Sequence, residues 1–348
     1  MALLSILILC YDNLKSCNLF KRLQLFLIRG IYFVKFAWVI FYSNMAKPIL
    51  LLTGCTGLLG QKLLATLPPS LPYTVVAISK NSPQVPLPPH VIYCQLDLTH
   101  TAVVEELFEN LRPALVLHTA ALTLPDKCEQ NQEEAYLQNV TVVELLCRLA
   151  NLHRSFFVQL STDFVFDGTA MLLTEEANPN PINYYGQTKY LAEEIVKNTP
   201  ISWAIVRTCL VFGVLAQPSR SNILLWVIRN LQAGNPINVV ADQLRTPTLA
   251  EDLAKGCWQV VLAKAIGVWH IAGNDLMSPY QFALKVAEIF ELDSTLISPT
   301  NAQEFKEIAT RPLHTGFNTN KAQELLHFTP MPIEEALRFC KQMIESTQ

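Results

Sequence analysis

The sequence predicts an α/β protein: a doubly wound parallel sheet followed by a smaller C-terminal α/β substrate lobe. Three observations carry that expectation. From residue 48 onward, short apolar runs alternate with amphipathic stretches of helical length. The first run meets the first helix at a glycine-rich turn, TGCTGLLG. The apolar runs are nearly continuous, as strands covered on both faces must be.

Taken in order, residues 48–53 read as a buried strand and 59–67 as the helix after it. Residues 73–78, 91–96 and 114–119 are the next strands, and an acid-rich, periodic stretch over 134–150 is a helix. Two further strands follow at 156–160 and 203–207. Beyond residue 212 the alternation loosens: helix 221–232, strand 237–241, helix 251–263, strand 267–272, and helices 278–290 and 333–344. There is no internal repeat and no low-complexity segment.

The chain has 348 residues, 51% of them hydrophobic and 16% charged, so it has ample apolar surface for a core and is not a disordered chain. A net charge of −3 gives no reason to expect nucleic acid as a partner. Nine scattered cysteines without a C-x-x-C pair point to free thiols in a reducing compartment and against a zinc site. No metal is expected.

Residues 1–44 differ from the rest. They hold five basic residues against one acid (+4), which leaves −7 for the remainder of a chain whose net charge is −3. Residues 23–42 are long enough to span a bilayer, but Arg29 and Lys35 interrupt them, each at about 2.5–3.5 kcal/mol near the membrane centre. The short apolar run at 3–9 has no basic segment before it, unlike a signal peptide. Met45 opens directly onto the first strand and is expected to be the true start; the competing reading makes residues 1–44 a membrane anchor. The expected location is cytoplasmic, with membrane association if the extension is translated.

In TGCTGLLG, Gly54, Gly57 and Gly60 allow a tight turn and close approach of a pyrophosphate, which the helix N-terminus then attracts. The spacing is G-x-x-G-x-x-G, and its context, strand before and helix after, is the one such a site needs. The second strand ends at Ser79, followed by Lys80, where an acid would select NAD through the ribose 2′-hydroxyl. A cation and no acid favour NADPH, with NADH as the alternative. Asp97-Leu98 closes the third strand, placing a carboxylate for an adenine amino group or for a helix cap. Small residues Thr119, Ala120 and Ala121 end the fourth strand; His118 before them reads as a packed strand residue.

The stretch NYYGQTKY (183–190) holds three tyrosines, of which only Tyr185 has a lysine, Lys189, four positions later on the same helical face. Tyr11 and Lys15 share that spacing but precede the glycine turn. STDFVFDG ends the fifth strand, so Thr162, Tyr185 and Lys189 converge at strand carboxyl ends, where doubly wound sheets place ligands.

These residues, in this order, resemble an extended short-chain dehydrogenase/reductase with a Rossmann fold, over most of the chain. PDKCE, STDFVFDG, NPINYYGQTK, Arg207-Thr208, DQLRTPT and RPLHTGFNTNK narrow the resemblance to the dTDP-4-dehydrorhamnose reductase family. The family also includes sugar-nucleotide reductases of other specificity and the regulatory subunit of methionine adenosyltransferase. The resemblance implies that Tyr185 donates a proton to a ketone oxygen, which Thr162 also hydrogen-bonds, and that Lys189 holds the nicotinamide ribose and lowers the phenol's pKa. It implies that Asp163 contacts the sugar, that Asn139 is a structural or relay asparagine, and that Gly54, Thr56, Gly57, Leu58, Leu59, Gly60, Ser79, Lys80, Asp97, Leu98, Thr119, Ala120, Ala121 and Asn139 serve the cofactor. Arg311 is the candidate for the nucleotide diphosphate, with a capping arginine as the competing reading.

One departure stands out. Rhamnose-forming members have a tryptophan shortly after the R-T pair, where a ring can stack on the sugar; here Leu210 occupies that place. Trp226 and Trp269 read as core. An epimerase or dehydratase of the same fold is less well supported, since Thr162 is followed by Asp163-Phe164 and not by an acid pair. The expected organisation is a dinucleotide-binding unit over 45–214 rejoined by 250–273, a substrate lobe from 215–249 and 274–348, a nucleotide-sugar substrate, and a homodimer.

Overall fold

A strand covered on both faces must be apolar throughout, and Ile49–Thr53 (β1) is buried along its whole length. The computed structural model describes residues 47–83, 85–215, 222–304 and 307–346. The extension before Met45, the Tyr11–Lys15 pair and the expected first residue of the 221–232 helix lie outside the described residues.

After β1 come Leu58–Ala65 (α1), Thr74–Ser79 (β2), Ile92–Gln95 (β3), Thr101–Leu111 (α2) and Leu115–His118 (β4). Pro125–Gln130 (α3), Gln132–Tyr136 (α4), Val142–His153 (α5), Phe156–Thr162 (β5), Tyr184–Asn198 (α6) and Trp203–Thr208 (β6) follow. Val211–Phe212 (β7), Ile223–Gln232 (α7), Ile237–Val240 (β8), Thr248–Leu249 (β9), Ala250–Ala263 (α8) and Gly267–His270 (β10) lead to Pro279–Ile289 (α9), Ile297–Thr300 (β11), Asn320–Leu326 (α10) and Ile333–Glu345 (α11).

The main sheet has seven parallel strands in the order β10-β6-β5-β4-β1-β2-β3. The order reverses between β1 and β4, which opens a crevice at their carboxyl ends. Period-two alternation divides the strand side chains between two cores. Leu50 and Leu52 face α1 and α8 together with Leu63, Leu253 and Cys257. Leu51 faces α2, α5 and α6 together with Phe108, Leu146 and Ala192.

A third core joins Leu224, Val227, Phe282, Val286, Ala336 and Leu337 from α7, α9 and α11, beside the parallel pair β8–β11. Helix α9 begins where Ser278 and Gln281 form a reciprocal capping box. Helix α10 turns back instead: Ala322, Leu326 and Phe328 pack in the main core.

The 134–150 stretch is not one regular helix. α4 and α5 are joined by a π-helical turn, Leu137–Thr141, containing Asn139. A one-residue expansion of the hydrogen-bond ladder shifts the helical phase without interrupting the run of helix-forming residues, and π-turns recur at functional sites.

Candidate functional site

The glycine turn is required by contacts, not by flexibility alone. Gly54 sits at φ 73°, and a Cβ on it would lie 2.7 Å from the Ala120 nitrogen. A Cβ on Gly60 would lie 2.3 Å from the Gly54 carbonyl oxygen. Gly57 is the N-cap of α1, and no side chain caps it, so the first-turn amides are left for a ligand at the crevice. Thr53 Oγ1 accepts from the amides of Thr119 at 3.2 Å and Ala120 at 3.3 Å, tying the end of β4 to the turn. The same hydroxyl bonds His118 Nδ1 at 2.7 Å. Burial, aided by the Lys189 charge, lowers the His118 pKa to about 3, so the imidazole is a neutral packing group, as expected.

At the end of β2, Ser79 Oγ donates to the Asn81 carbonyl at 2.6 Å. Lys80 Nζ lies 2.8 Å from Asp97 Oδ2. Asp97 Oδ1 accepts from the Thr99 amide at 3.1 Å and its hydroxyl at 2.8 Å, so this carboxylate caps a turn before α2. Burial pushes the Asp97 carboxyl up, but the bonds from Lys80 and Thr99 outweigh it and hold it at about 2.

Local chemistry explains where α6 starts. Asn183 caps it by accepting from the Gly186 amide at 2.8 Å, and Glu129 accepts from the Tyr184 amide at 3.0 Å. A Cβ on Gly186 would lie 2.1 Å from the Phe164 carbonyl oxygen, so the helix can settle on the turn after β5 only with glycine there. Tyr185 and Lys189 are thereby buried at the crevice beside Thr162.

Lys189 Nζ donates to the Leu160 carbonyl at 2.6 Å. Burial brings its pKa down to about 8 against the opposing charge of Glu193. The phenol of Tyr185 moves the other way from the expectation. Burial raises its pKa, the bond to Thr162 only partly offsets this, and the Asp163 charge adds to it. Desolvation of the phenolate dominates, and Tyr185 is a neutral O–H donor.

Asp163 is buried, and its carboxylate is engaged within the chain. Oδ1 accepts from Thr162 Oγ1 at 3.0 Å; Oδ2 accepts from Thr315 Oγ1 at 2.5 Å and from Cys209 Sγ at 3.3 Å, with Arg245 Nε at 3.6 Å. Asn139 does not line the cavity, contrary to its expected place in the cofactor set. Its amide holds the Leu122 backbone from both sides, at 2.8 and 3.0 Å, and donates to Thr188 at 3.0 Å. Pointing inward from a π-turn, it couples the β4 loop to α6.

Every other expected site residue lines one continuous cavity of about 2020 Å³: Gly54, Thr56, Gly57, Leu58, Leu59 and Gly60 at the turn; Ser79, Lys80, Asp97, Leu98, Thr119, Ala120 and Ala121 at the strand ends; Thr162, Asp163, Tyr185, Lys189 and Arg311 beyond them. That volume exceeds the roughly 300–1,000 Å³ of an ordinary small-molecule pocket and has room for two ligands. Arg311 lines the cavity and bridges Asp126 at 2.8 Å and Glu307 at 3.2 Å. Leu210 and Trp226 also line the cavity, so Trp226 is not wholly core, whereas Trp269 is buried with Lys321 above its ring.

The RmlD substrate binding domain model matches residues 48–346. The chain belongs to the RmlD substrate-binding-domain family. Among its relatives, the "probable low-salt glycan biosynthesis reductase Agl14" of Haloferax volcanii is 30% identical over 82% of this chain and 94% of its own length. The beta subunit of methionine adenosyltransferase 2 of Xenopus tropicalis is 29% identical over 79% of this chain and 81% of its own. The solved structure of Bacillus anthracis dTDP-4-dehydrorhamnose reductase in complex with NADP superposes with a TM-score of 0.75 at 29% identity, covering 85% of this chain and 99% of that one.

In this RmlD-family chain, sequence reasoning missed Glu193, Gln243 and Arg245. Glu193 is buried and accepts from Arg207 Nε at 2.9 Å and Nη2 at 2.6 Å, and from Ser161 at 2.6 Å. Arg245 lies in DQLRTPT, but its partners Asp163, Pro312 and Leu313 are remote in the chain, and no local spacing signals them. Among the described residues, no helix is long and apolar enough to cross a membrane, and no group of three His, Cys, Asp or Glu is placed to hold a metal ion.

Proposed function

We propose that this RmlD-family chain is an NADPH-dependent reductase of a nucleotide-linked 4-keto sugar, with Tyr185 as the proton donor. The observation that carries the reading is the neutral, buried phenol beside Thr162 and Lys189 in the cavity that also contains the glycine turn. The NADP complex of a related reductase supports the cofactor. The tight backbone turn that Gly54 and Gly60 permit, together with the uncapped start of α1, fits a dinucleotide diphosphate. The nicotinamide, when bound, supplies the hydride.

The chain's own residues do the rest. Gly54, Thr56, Gly57, Leu58, Leu59 and Gly60 cradle the diphosphate, and Ser79 and Lys80 select the 2′-phosphate. Asp97, Leu98 and the Thr119–Ala121 segment border the adenosine side, and Lys189 holds the ribose. Tyr185 delivers its proton to the ketone oxygen. Asp163 orients Thr162, and Arg311 meets the nucleotide diphosphate in competition with Asp126 and Glu307. We place the protein in the cytoplasm as a homodimer, with a dinucleotide-binding unit over 45–214 and 250–273.

A regulatory, non-catalytic role is the second reading, favoured by the similarity to the methionine adenosyltransferase beta subunit. The two separate in one experiment. The full chain is mixed with NADPH and a panel of nucleotide 4-keto sugars while the reduced-nicotinamide absorbance is followed. Turnover that disappears in Tyr185→Phe with NADPH binding intact supports the reductase; NADPH binding with no turnover on any sugar supports the regulator.

A further inference from the structure

We infer that Gln243 and Thr208 form a subsite that recognises an uncharged oxygen of the substrate's sugar ring; this rests on the reading that the substrate is a nucleotide sugar. Both residues line the cavity. Gln243 is 6% exposed, yet its Nε2 has no hydrogen-bond partner, and neither has the Thr208 hydroxyl. A buried donor left unpaired is costly, and a ligand oxygen at the cavity wall relieves it.

The direction of the amide is set by Arg245. Nη2 of that guanidinium donates to Gln243 Oε1 at 3.2 Å. Arginine has donors only, so the carboxamide cannot turn round, and its N–H donors are held on the side away from Arg245. Arg245 is itself fixed by the carbonyls of Pro312 at 2.6 Å and Leu313 at 3.1 Å.

The same clamp brings the amide close to the reacting groups. Arg245 Nε lies 3.6 Å from the Asp163 carboxylate, which accepts from Thr162. Thr208 is the strand partner of Thr162 across β5 and β6. Arg245 directs its charge at Asp163 and at backbone carbonyls, so the donors offered to a ligand are a neutral amide and a hydroxyl. They suit a sugar hydroxyl or carbonyl better than a phosphate. Leu210, at the place where rhamnose-forming members carry a ring, lines the same cavity, so polar contacts at Gln243 and Thr208 supply orientation that stacking does not.

The test uses the full chain and calorimetry with dTDP-glucose and UDP-glucose against dTDP and UDP. The ratio of dissociation constants, free nucleotide to nucleotide sugar, reports what the sugar contributes. Gln243→Leu and Gln243→Glu are expected to reduce that ratio about tenfold, and Thr208→Val a few-fold, with free-nucleotide and NADPH affinity unchanged. Gln243→Glu keeps an oxygen toward Arg245 and guards against a packing effect. Wild-type ratios in the variants, or an equal loss of free-nucleotide affinity, overturn the subsite. A wild-type chain that binds NADPH but no nucleotide sugar overturns the subsite and removes the substrate reading with it.

Discussion

The hydroxyl of Thr162 donates to Oδ1 of Asp163 at 3.0 Å, while Oδ2 of that carboxylate accepts from Thr315 at 2.5 Å. One hydroxyl has one hydrogen, so in this arrangement Thr162 meets Tyr185 as an acceptor. In Asp163→Asn the oxygen must stay with Thr315 and Arg245, and the amide nitrogen then faces Thr162 and turns its hydrogen away. The expected result is a fall in kcat of about 10²-fold with NADPH affinity kept. Steady-state kinetics and a cofactor titration check it; an unchanged kcat removes Asp163 from the orienting role.

Lys189 gives a pH signature in the free protein. Burial lowers its pKa from 10.5 to about 8. The folded value lies below the unfolded one, so the ammonium opposes folding: the penalty is complete below about pH 8, declines between 8 and 10.5, and is absent above. Its size is on the order of 3 kcal/mol. Lys189→Met is expected to gain relative stability at pH 7 and lose most of that advantage by pH 10, measured by urea unfolding at both. A pH-independent difference contradicts this.

Glu193 and Arg207 form a bidentate buried pair at 2.9 and 2.6 Å. Burial raises the Glu193 carboxyl, but Arg207, Ser161 and Lys197 outweigh it and hold it below the usual carboxylate range. This stabilisation is therefore present above the ordinary glutamate pKa and is lost as pH falls through the lowered folded value. Glu193→Ala strands a buried guanidinium and is expected to cost about 3–5 kcal/mol at pH 7. Denaturant midpoints at pH 7 and pH 4 measure both effects.

Gly60→Ala places a methyl 2.3 Å from the Gly54 carbonyl oxygen, so α1 must move off the turn. A stability loss of about 1–3 kcal/mol and at least a tenfold weaker NADPH dissociation constant are expected. A variant that binds NADPH as the wild type does would show that the turn is not the diphosphate cradle.

Lys80 is exposed and paired with Asp97 at 2.8 Å. Lys80→Ala is expected to leave stability within about 0.5 kcal/mol and to lower the preference for NADPH over NADH. Parallel titrations with the two cofactors decide it.

By itself the sequence determined the sheet, the glycine turn, the Tyr185–Lys189 spacing and the strand-end threonine, because each is written in neighbouring residues: continuous apolar runs, backbone sterics at Gly54 and Gly60, and helical periodicity on α6. Only the tertiary structure decided that Asp163 is bound by Thr315, Cys209 and Arg245, that Asn139 points inward from a π-turn, that burial raises the pKa of the Tyr185 phenol, and that Arg245 fixes the Gln243 amide. Those outcomes depend on which remote segments meet and how much water they displace. Hydrogen-bond partners and desolvation are properties of packed neighbours, and the linear order of residues carries no local mark of either.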